Sequence, residues 1–187
     1  MEALQTLNNK PIIKSNWLKI MALIAITILI YLSWQKGGEV VYSKVLTFGA
    51  NTVFGIVKPD SRIDVEQDKS GKYEFKVYTR IDGRRGSYPQ SFGSLLQPFV
   101  IVLSWQLFLF LAMEKKRALK LLGVNIGIFL LIQIIFLFFL TSYYSSAFSK
   151  FMYDMMMDSF YIIALVLVIK DNIFYQVFRR IKTVGAQ

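Results

Sequence analysis

The chain has 187 residues, of which 55% are hydrophobic and 16% aromatic, and it carries a formal net charge of +10 at pH 7. A soluble domain of this length could not bury so much apolar surface, so the composition predicts an integral membrane protein. The chain contains no cysteine and no histidine, which excludes thiol nucleophiles, disulfides, imidazole bases and the commonest zinc and haem sites. We therefore expect no cofactor. The positive charge is better explained by basic residues flanking membrane spans than by nucleic-acid binding.

The first predicted span covers residues 17–34 and follows a polar cytoplasmic tail at 1–16. Only Lys19 interrupts its apolar run, near the start, where a lysine can reach the interface. The run ends in "YLSWQKGGEV", which has no A-x-A-like cleavage site. This favours a retained span over a signal peptide.

Residues 35–94 are predicted to form an extracytoplasmic insert between the first and second spans. In its first part, 39–57, apolar side chains at helical spacing predict an amphipathic helix that lies on the outer leaflet or packs on the bundle. The apolar positions are Val41, Val45, Phe48, Thr52 and Ile56, and the polar positions are Lys44, Asn51 and Lys58.

The second part of the insert, "RIDVEQDKSGKYEFKVYTRI" at 62–81, alternates apolar and polar side chains on both sides of a turn at 68–72. This period of two predicts a β-hairpin. Two strands alone are marginal in water, so we expect the hairpin to pack on the helix or on a partner. We interpret the glycine-rich "DGRRGSYPQSFGS" that follows as a connection to the second span. The predicted partner-binding residues are Ile63, Val65, Tyr73, Phe75, Val77, Arg84 and Arg85.

Arg84 and Arg85 leave two interpretations open. They could hold an acidic partner or an anionic lipid headgroup, or they could be a solvated loop tip.

The remaining chain is predicted to contain three more spans. They are 95–113, 121–141 and 155–174, separated by a basic turn at 114–120 and an extracytoplasmic loop at 142–154, and followed by a basic cytoplasmic tail at 175–187. A helix needs about 20 residues to cross the hydrocarbon layer. Because the last span contains only 11 strictly apolar residues, "SFYIIALVLVI", an interfacial or re-entrant helix is the alternative for it.

Orientation follows from the short connections. The turn "EKKRALK" holds four basic residues against one acid, and residues 142–158 hold one lysine against two aspartates. The positive-inside rule then places both termini in the cytoplasm, in a bacterial inner membrane. The predicted fold class is an all-α polytopic membrane protein, a four-helix transmembrane bundle with a small extracytoplasmic insert of one amphipathic helix and one β-hairpin.

Several polar residues are candidate sites. Asp154 and Asp158 could bind a cation or carry a proton. Two carboxylates fall short of the six or more oxygens that calcium takes, so it is more favoured that both simply lie at the solvent-exposed end of the last helix. We expect no acid or base in the middle of a span. The polar residues there could line a polar path, but such residues more often form hydrogen bonds between helices. These are Gln97, Ser104, Gln106, Asn125 and Gln133. In the aromatic, basic tail, Arg179, Arg180 and Lys182 are predicted to contact anionic lipid.

The order of parts resembles a known family. Over about residues 17–178 the chain contains, in order, one span, an amphipathic segment, a strand pair and a span that opens with "SFGSLLQPFVIVLSW". A basic turn, an apolar third span and a last span with an aromatic, basic tail complete it. This order resembles the exosortase-associated membrane proteins of bacteria. The resemblance implies a place beside exosortases, membrane enzymes that process and sort proteins with a C-terminal tripartite signal. It implies no catalytic residues, and a chain without Cys or His does not fit the exosortase constellation of Cys, Arg and His.

These observations favour a non-enzymatic accessory or scaffold subunit of an inner-membrane complex, such as a protein-sorting or secretion system, with residues 39–81 as the partner-binding surface. The expected partners are other membrane subunits, anionic lipid and a client protein on the extracytoplasmic side. Two alternatives remain open. One is a small-solute or lipid transporter that uses Asp154 and Asp158, and the other is a lipid-modifying enzyme that relies on Tyr143, Tyr144 and the same aspartates.

Overall fold

The structure is a computed structural model that describes residues 15–81 and 83–178. The predicted lipid-contact residues Arg179, Arg180 and Lys182 lie outside the described residues. The described chain is mostly helical with one small sheet. Its elements are α1 (Asn16–Ser33), a π-helical turn (Trp34–Gly38), α2 (Glu39–Val57), β1 (Arg62–Gln67), β2 (Tyr73–Ile81), β3 (Arg84–Ser91), α3 (Gly93–Leu96), α4 (Pro98–Ala112), α5 (Lys115–Leu140), α6 (Ala147–Met157) and α7 (Phe160–Tyr175).

Two helical stretches of the described chain are long and apolar enough to cross a membrane, and a third qualifies if a bent pair counts as one span. The first two are Asn16–Val57 and α5, and the bent pair is α6 and α7, whose axes meet at 52°. Helix α4 is apolar but has only 15 residues. The structure thus supports a membrane protein with two or three candidate spans, and the complete four-span bundle stays a prediction.

Helices α1 and α2 run into each other through a kink. Gly37 has φ +116° and Lys36 also departs from helical geometry, so the helix changes direction there. The positive φ favours glycine, because a Cβ would strain this conformation. Next to the kink, the ring of Trp34 is buried against the rings of Tyr42 and Phe99. The kink therefore places α2, the amphipathic helix expected from the sequence, against the start of α4.

The predicted hairpin is confirmed, and the sheet contains one strand more. Strands β1, β2 and β3 pair antiparallel in that order. The glycine-rich stretch interpreted from sequence as a connection forms β3, so that interpretation is wrong. Pro89 has no N–H to donate, but β3 is an edge strand, where proline is tolerated. The insert is thus a three-stranded sheet packed on α2.

The predicted loop at 142–154 is largely helical, because α6 begins at Ala147. The Ser146 side chain accepts a hydrogen bond from the backbone N–H of Ser149 at 3.2 Å and caps the helix. Phe148, Phe151 and Met155 are exposed on α6. The segment before α7 is therefore an amphipathic helix with an uncovered apolar face.

The core lies where α4 packs against α1, α5 and α7. Aromatic side chains fill it. Phe129, Phe136 and Phe160 are fully or almost fully buried, and Phe160 forms an edge-on pair with each of the other two. The sheet and α2 lie at the Leu140 end of α5, and the basic turn lies at its Lys115 end. One end of the bundle therefore carries the sheet and α2, and the other carries the basic turn.

Candidate functional site

The sheet closes one end of the bundle with its inner face. Ile63, Phe75 and Val77 have no exposed surface, and the Phe75 ring lies 4.6 Å from the Phe92 ring. Val65 is partly buried against the same core. These four residues were predicted to bind a partner, but the structure turns three of them entirely inward, because the sheet packs on α2 and on Phe92 as part of the main hydrophobic core. The inner face of the sheet is therefore part of the core.

Polar contacts fix the sheet to α2. The Asn51 side chain on α2 accepts a hydrogen bond from the Ile63 backbone N–H at 2.9 Å and donates one to the Ile63 carbonyl at 2.8 Å. One amide thus pairs both backbone groups of Ile63 on the outer edge of β1. Such groups are costly when they are left without partners. Asn51 therefore closes an edge that would otherwise be open to another strand.

Three further side chains join the insert to the end of α5. Thr79 donates a hydrogen bond to the Thr141 carbonyl at 2.8 Å, and the Lys58 ammonium donates to the same carbonyl at 3.1 Å and to the Ser142 hydroxyl at 2.6 Å. Partial burial lowers the pKa of Lys58. The Tyr88 hydroxyl donates to the Leu140 carbonyl, and burial raises its pKa. The sheet is therefore held rigidly against the bundle.

The outer face of the sheet is polar and divided by charge. Arg80 and Arg85 are directly opposite each other on β2 and β3, and Glu66 and Glu74 are opposite each other at the far end of the sheet. Like charges in directly opposite positions destabilise a sheet. Asp60 offsets part of this cost at one end, since it lies 3.3 Å from Arg80. The face therefore carries an arginine pair at one end, called here the basic end, and a glutamate pair at the other, next to the tip of the hairpin.

A shallow depression of about 510 Å³ lies at the basic end of this face. Its lining includes Asp60, Tyr78, Arg85 and Ser87. In the described chain no ion pair is formed by Arg85, so its guanidinium is available to an acidic group. The depression can therefore receive a carboxylate or phosphate from outside.

Three of the predicted partner-binding residues remain on the surface. Tyr73 is 43% exposed, and both Arg84 and Arg85 are exposed at the start of β3. No further strand pairs with β3 in the described residues. The partner-binding role of these three residues stays a prediction.

The apolar positions predicted for α2 form an uncovered stripe. Val41, Val45, Phe48 and Ile56 are 56–83% exposed, whereas Leu46, Ala50 and Phe54 on the opposite side are buried. The helix therefore packs on the bundle and also presents an apolar face outward. Coverage of this face by the outer leaflet stays a prediction.

The two aspartates predicted as a cation or proton site are both exposed. Helix α6 ends at Met157, so Asp154 lies on the helix and Asp158 lies in the bend that follows. Within the described residues no group of three or more acidic side chains could hold a metal ion. The structure thus gives this pair no third ligand.

Three of the polar residues in the spans bond between elements, as expected. Gln133 on α5 accepts from the Tyr42 hydroxyl and donates to the Leu95 carbonyl at 2.7 Å. Gln97 accepts from the Tyr161 hydroxyl at 2.8 Å. Asn125 bonds to α7, as described next. Ser104 and Gln106 are buried, and their side chains have no hydrogen-bond partner among the described residues.

One acid is buried between the helices, and the sequence did not predict it as a site. Asp171, near the end of α7, is 0% exposed, and its Oδ2 accepts from Trp105 Nε1 at 3.0 Å and from Asn125 Nδ2 at 2.6 Å. Lys170 Nζ lies 3.1 Å from the other carboxylate oxygen and donates to Asn125 Oδ1 at 2.8 Å. In the sequence, Lys170 and Asp171 stand near the end of the last predicted span, 155–174. Their partners come from two other helices, which local sequence does not reveal.

The depth of this cluster can be read along α5. Asn125 lies five residues after Lys120, the last basic residue of the turn, which corresponds to about 7.5 Å of helix. A charged group at such a depth is expensive unless it is paired, and in membrane proteins it commonly marks a functional position. We define Trp105, Asn125, Lys170 and Asp171 as the acid cluster.

A short segment of the chain covers the acid cluster from the end with the basic turn. Gln176 adopts a left-handed conformation that ends α7, and the chain then turns back under the bundle. Val177 is buried, and Lys19 on α1 donates a hydrogen bond to its carbonyl. The Phe178 ring lies 6.4 Å from Trp105 and 5.8 Å from Phe108. We call residues 176–178 the plug.

Comparisons with known proteins identify no relative of this chain. No family model matches the chain, and no curated protein or solved structure is significantly similar to it. The candidate site therefore rests on the residues themselves. It consists of an outward polar sheet at one end and a buried acid cluster near the other.

Proposed function

We propose that this chain is a non-enzymatic accessory subunit of a bacterial inner-membrane complex, and that the outer face of its sheet binds a partner protein. The supporting observation is the division of the sheet into a buried inner face and an outward face with separated charges. A sheet needed only for its own stability gains nothing from setting Arg80 against Arg85. Interfaces use such charge patterns to select and orient partners.

The orientation is part of the proposal. The basic turn lies at one end of α5 and the sheet at the other, so the positive-inside rule supports a cytoplasmic turn and an extracytoplasmic sheet. The bundle is then the anchor, and the sheet meets a partner subunit or a client protein outside the cytoplasm. The resemblance to exosortase-associated proteins points to a sorting complex as the setting.

The basic end of the outer face is the part we assign to the partner. Arg85 lies on the outer face and borders the depression, Arg84 is exposed at the neighbouring position, opposite Ile81, and β3 has an unpaired outer edge within the described chain. An acidic segment of a partner can therefore contact the arginines and lie along β3. The predicted surface thus moves from the inner residues of the hairpin to its outer face and edge.

The test is co-purification from native membranes of a variant with Arg84→Glu and Arg85→Glu. The matched control is Lys69→Glu with Lys72→Glu, which makes the same change in charge at the exposed tip of the same sheet. We expect a stoichiometric partner with the wild type and the control, and its loss with the arginine variant. A chain that is monodisperse and partnerless in gentle detergent contradicts the proposal, as does equal partner recovery from both variants.

A second candidate function has one observation in its favour. The acid cluster places a carboxylate inside the bundle, and transporters often carry one there. If the chain transports a solute, Asp171 is a better candidate than Asp154 and Asp158. Solute uptake into proteoliposomes that contain only this chain, abolished by Asp171→Asn, would favour transport over the accessory role.

A further inference from the structure

Two neighbouring cavities form a cleft on the side of the bundle where α1 and α4 pack together. The lower cavity, of about 470 Å³, is lined by Ile28 and Leu32 of α1 and by Val100 and Ile101 of α4. The upper cavity, of about 440 Å³, lies between the kink after α1 and the tip of the sheet. The cleft is separate from both the acid cluster and the basic end of the outer face.

The two cavities share both of their walls. On one wall, Tyr31 lines the lower cavity and Gln35, one turn later, lines the upper cavity and donates a hydrogen bond to the Tyr31 hydroxyl at 2.8 Å. On the other wall, Gly93 lines the upper cavity and Gln97, one turn later, lines the lower cavity. The stretch from Thr27 to Gln35 corresponds to about 12 Å of helix, and half of the hydrocarbon layer is about 15 Å thick. The cleft therefore has about the length of one leaflet.

The cleft is apolar below and charged above. In the lower cavity the Tyr161 hydroxyl is paired with Gln97 Oε1 at 2.8 Å, and the rest of the lining is mainly aliphatic. The upper cavity is lined by Glu39 and Lys72, and neither forms an ion pair within the described chain. The cleft thus offers an apolar channel that leads to one carboxylate and one ammonium group.

The upper cavity is also bordered by a buried hydrogen-bond donor that has no acceptor. Trp34 is 6% exposed, and its Nε1 has no hydrogen-bond partner among the described residues. A buried donor without an acceptor is costly. A ligand that brings an oxygen next to this indole removes that cost.

We propose that the cleft binds one phospholipid with a primary-amine headgroup, phosphatidylethanolamine, taken from the leaflet on the sheet side. One acyl chain lies in the lower cavity against Leu32 and Val100, and the headgroup lies in the upper cavity. The Lys72 ammonium pairs with the phosphate, and the Glu39 carboxylate accepts hydrogen bonds from the lipid ammonium. A zwitterion with an apolar tail matches both charges and the channel below them. This inference goes beyond the proposed function and does not rest on a protein partner.

Native mass spectrometry of the full chain in gentle detergent tests this inference by titration with three lipids. Phosphatidylcholine has no N–H to donate to Glu39, and phosphatidylglycerol has no cation to pair with it. We expect phosphatidylethanolamine to bind one to one and at least about tenfold more tightly than the other two, since one hydrogen bond to a charged group is worth that much. Glu39→Gln should abolish this preference. Glu66→Gln is the matched control, because it neutralises an exposed acid elsewhere on the sheet, and it should retain the preference.

A second pair of variants tests the lower cavity. Leu32→Trp places a larger side chain in the channel and should abolish the one-to-one binding of phosphatidylethanolamine. Leu29→Trp makes the same change on the same helix, at a residue that is not among those lining the cleft in the described chain, and should leave binding unchanged. Both leucines are about half exposed or more, so neither change disturbs the core.

Three kinds of result overturn the proposal. The first is equal binding of the three lipids by the wild type, or binding of none, as expected if a protein segment occupies the cleft instead. The second is a preference that persists in Glu39→Gln or is also lost in Glu66→Gln. The third is equal binding of phosphatidylethanolamine by Leu32→Trp and Leu29→Trp.

Discussion

Replacing Asn51 with alanine should detach β1 from α2 without unfolding the bundle. The substitution removes the two hydrogen bonds that Asn51 makes with Ile63, at 2.8 and 2.9 Å. A typical intramolecular hydrogen bond contributes about 1 kcal/mol, so the expected local loss is about 2 kcal/mol. Since about 1.4 kcal/mol corresponds to a factor of ten, the amide of Ile63 should lose roughly 30-fold of its protection against hydrogen exchange.

The assay is hydrogen exchange of the protein in nanodiscs, followed by mass spectrometry of peptides that cover β1 and α5. Thr52→Ala is the matched control, because the Thr52 hydroxyl bonds only within its own helix, to the Phe48 carbonyl. We expect faster exchange in β1 for Asn51→Ala alone, with α5 unchanged in both variants. Equal exchange of β1 in the two variants, or a loss of protection throughout α5, would refute the inference that the Asn51 side chain attaches β1 to α2.

Two further predictions concern the sheet. Phe75→Ala empties a fully buried site beside Phe92 and should lower the free energy of unfolding of the insert by about 3–5 kcal/mol. Tyr73→Ala, at a half-exposed position, should lower it by about 1 kcal/mol or less. Denaturant titration measures both values, and equal losses would contradict the assigned inner face. The pKa of Asp68 is lowered, chiefly by the hydrogen bond from the Ser70 hydroxyl, so its stabilisation of the hairpin turn is present above the ordinary value of 3.8 and is lost as the pH falls below it. Exchange of the turn amides should therefore accelerate at acid pH in the wild type and be independent of pH in Asp68→Asn, after correction for the intrinsic exchange rate.

The strands that could be predicted from the sequence are those in which alternation marks two different environments. Ile63, Phe75 and Val77 alternate with charges because one face of β1 and β2 meets the core and the other meets water. Alternation gives the period, but it does not say whether the apolar face meets the chain itself or a partner, which is why these residues were assigned to a partner surface.

Strand β3 and helix α6 could not be predicted in the same way. Gly86 and Pro89 are poor strand residues, and β3 forms because β2 offers it a ready edge. Helix α6 is short and rich in methionine, and the available signal was the capping residue Ser146 ahead of an amphipathic run. In both cases tertiary contacts determine the secondary structure of a segment whose local sequence has only a weak preference for it.

The acid cluster was missed because hydropathy assigns each residue from its own neighbours along the chain. Asp171 stands next to Lys170 at the end of an apolar run, a pattern typical of a helix leaving the membrane. Its burial depends on Trp105 and Asn125, which lie 66 and 46 residues away in sequence. Asn125, a polar residue in an apolar helix, was the one signal that a polar partner had to exist nearby.

The proposed function depends on the sheet lying on the extracytoplasmic side of the membrane. Because the chain has no native cysteine, the side can be measured directly with single introduced cysteines. Lys69→Cys at the tip of the sheet and Lys116→Cys in the basic turn are both exposed positions. With a membrane-impermeant maleimide on intact bacterial spheroplasts, the account predicts labelling at position 69 without permeabilisation and at position 116 only after it. Labelling at position 116 but not at position 69 in intact spheroplasts would contradict it.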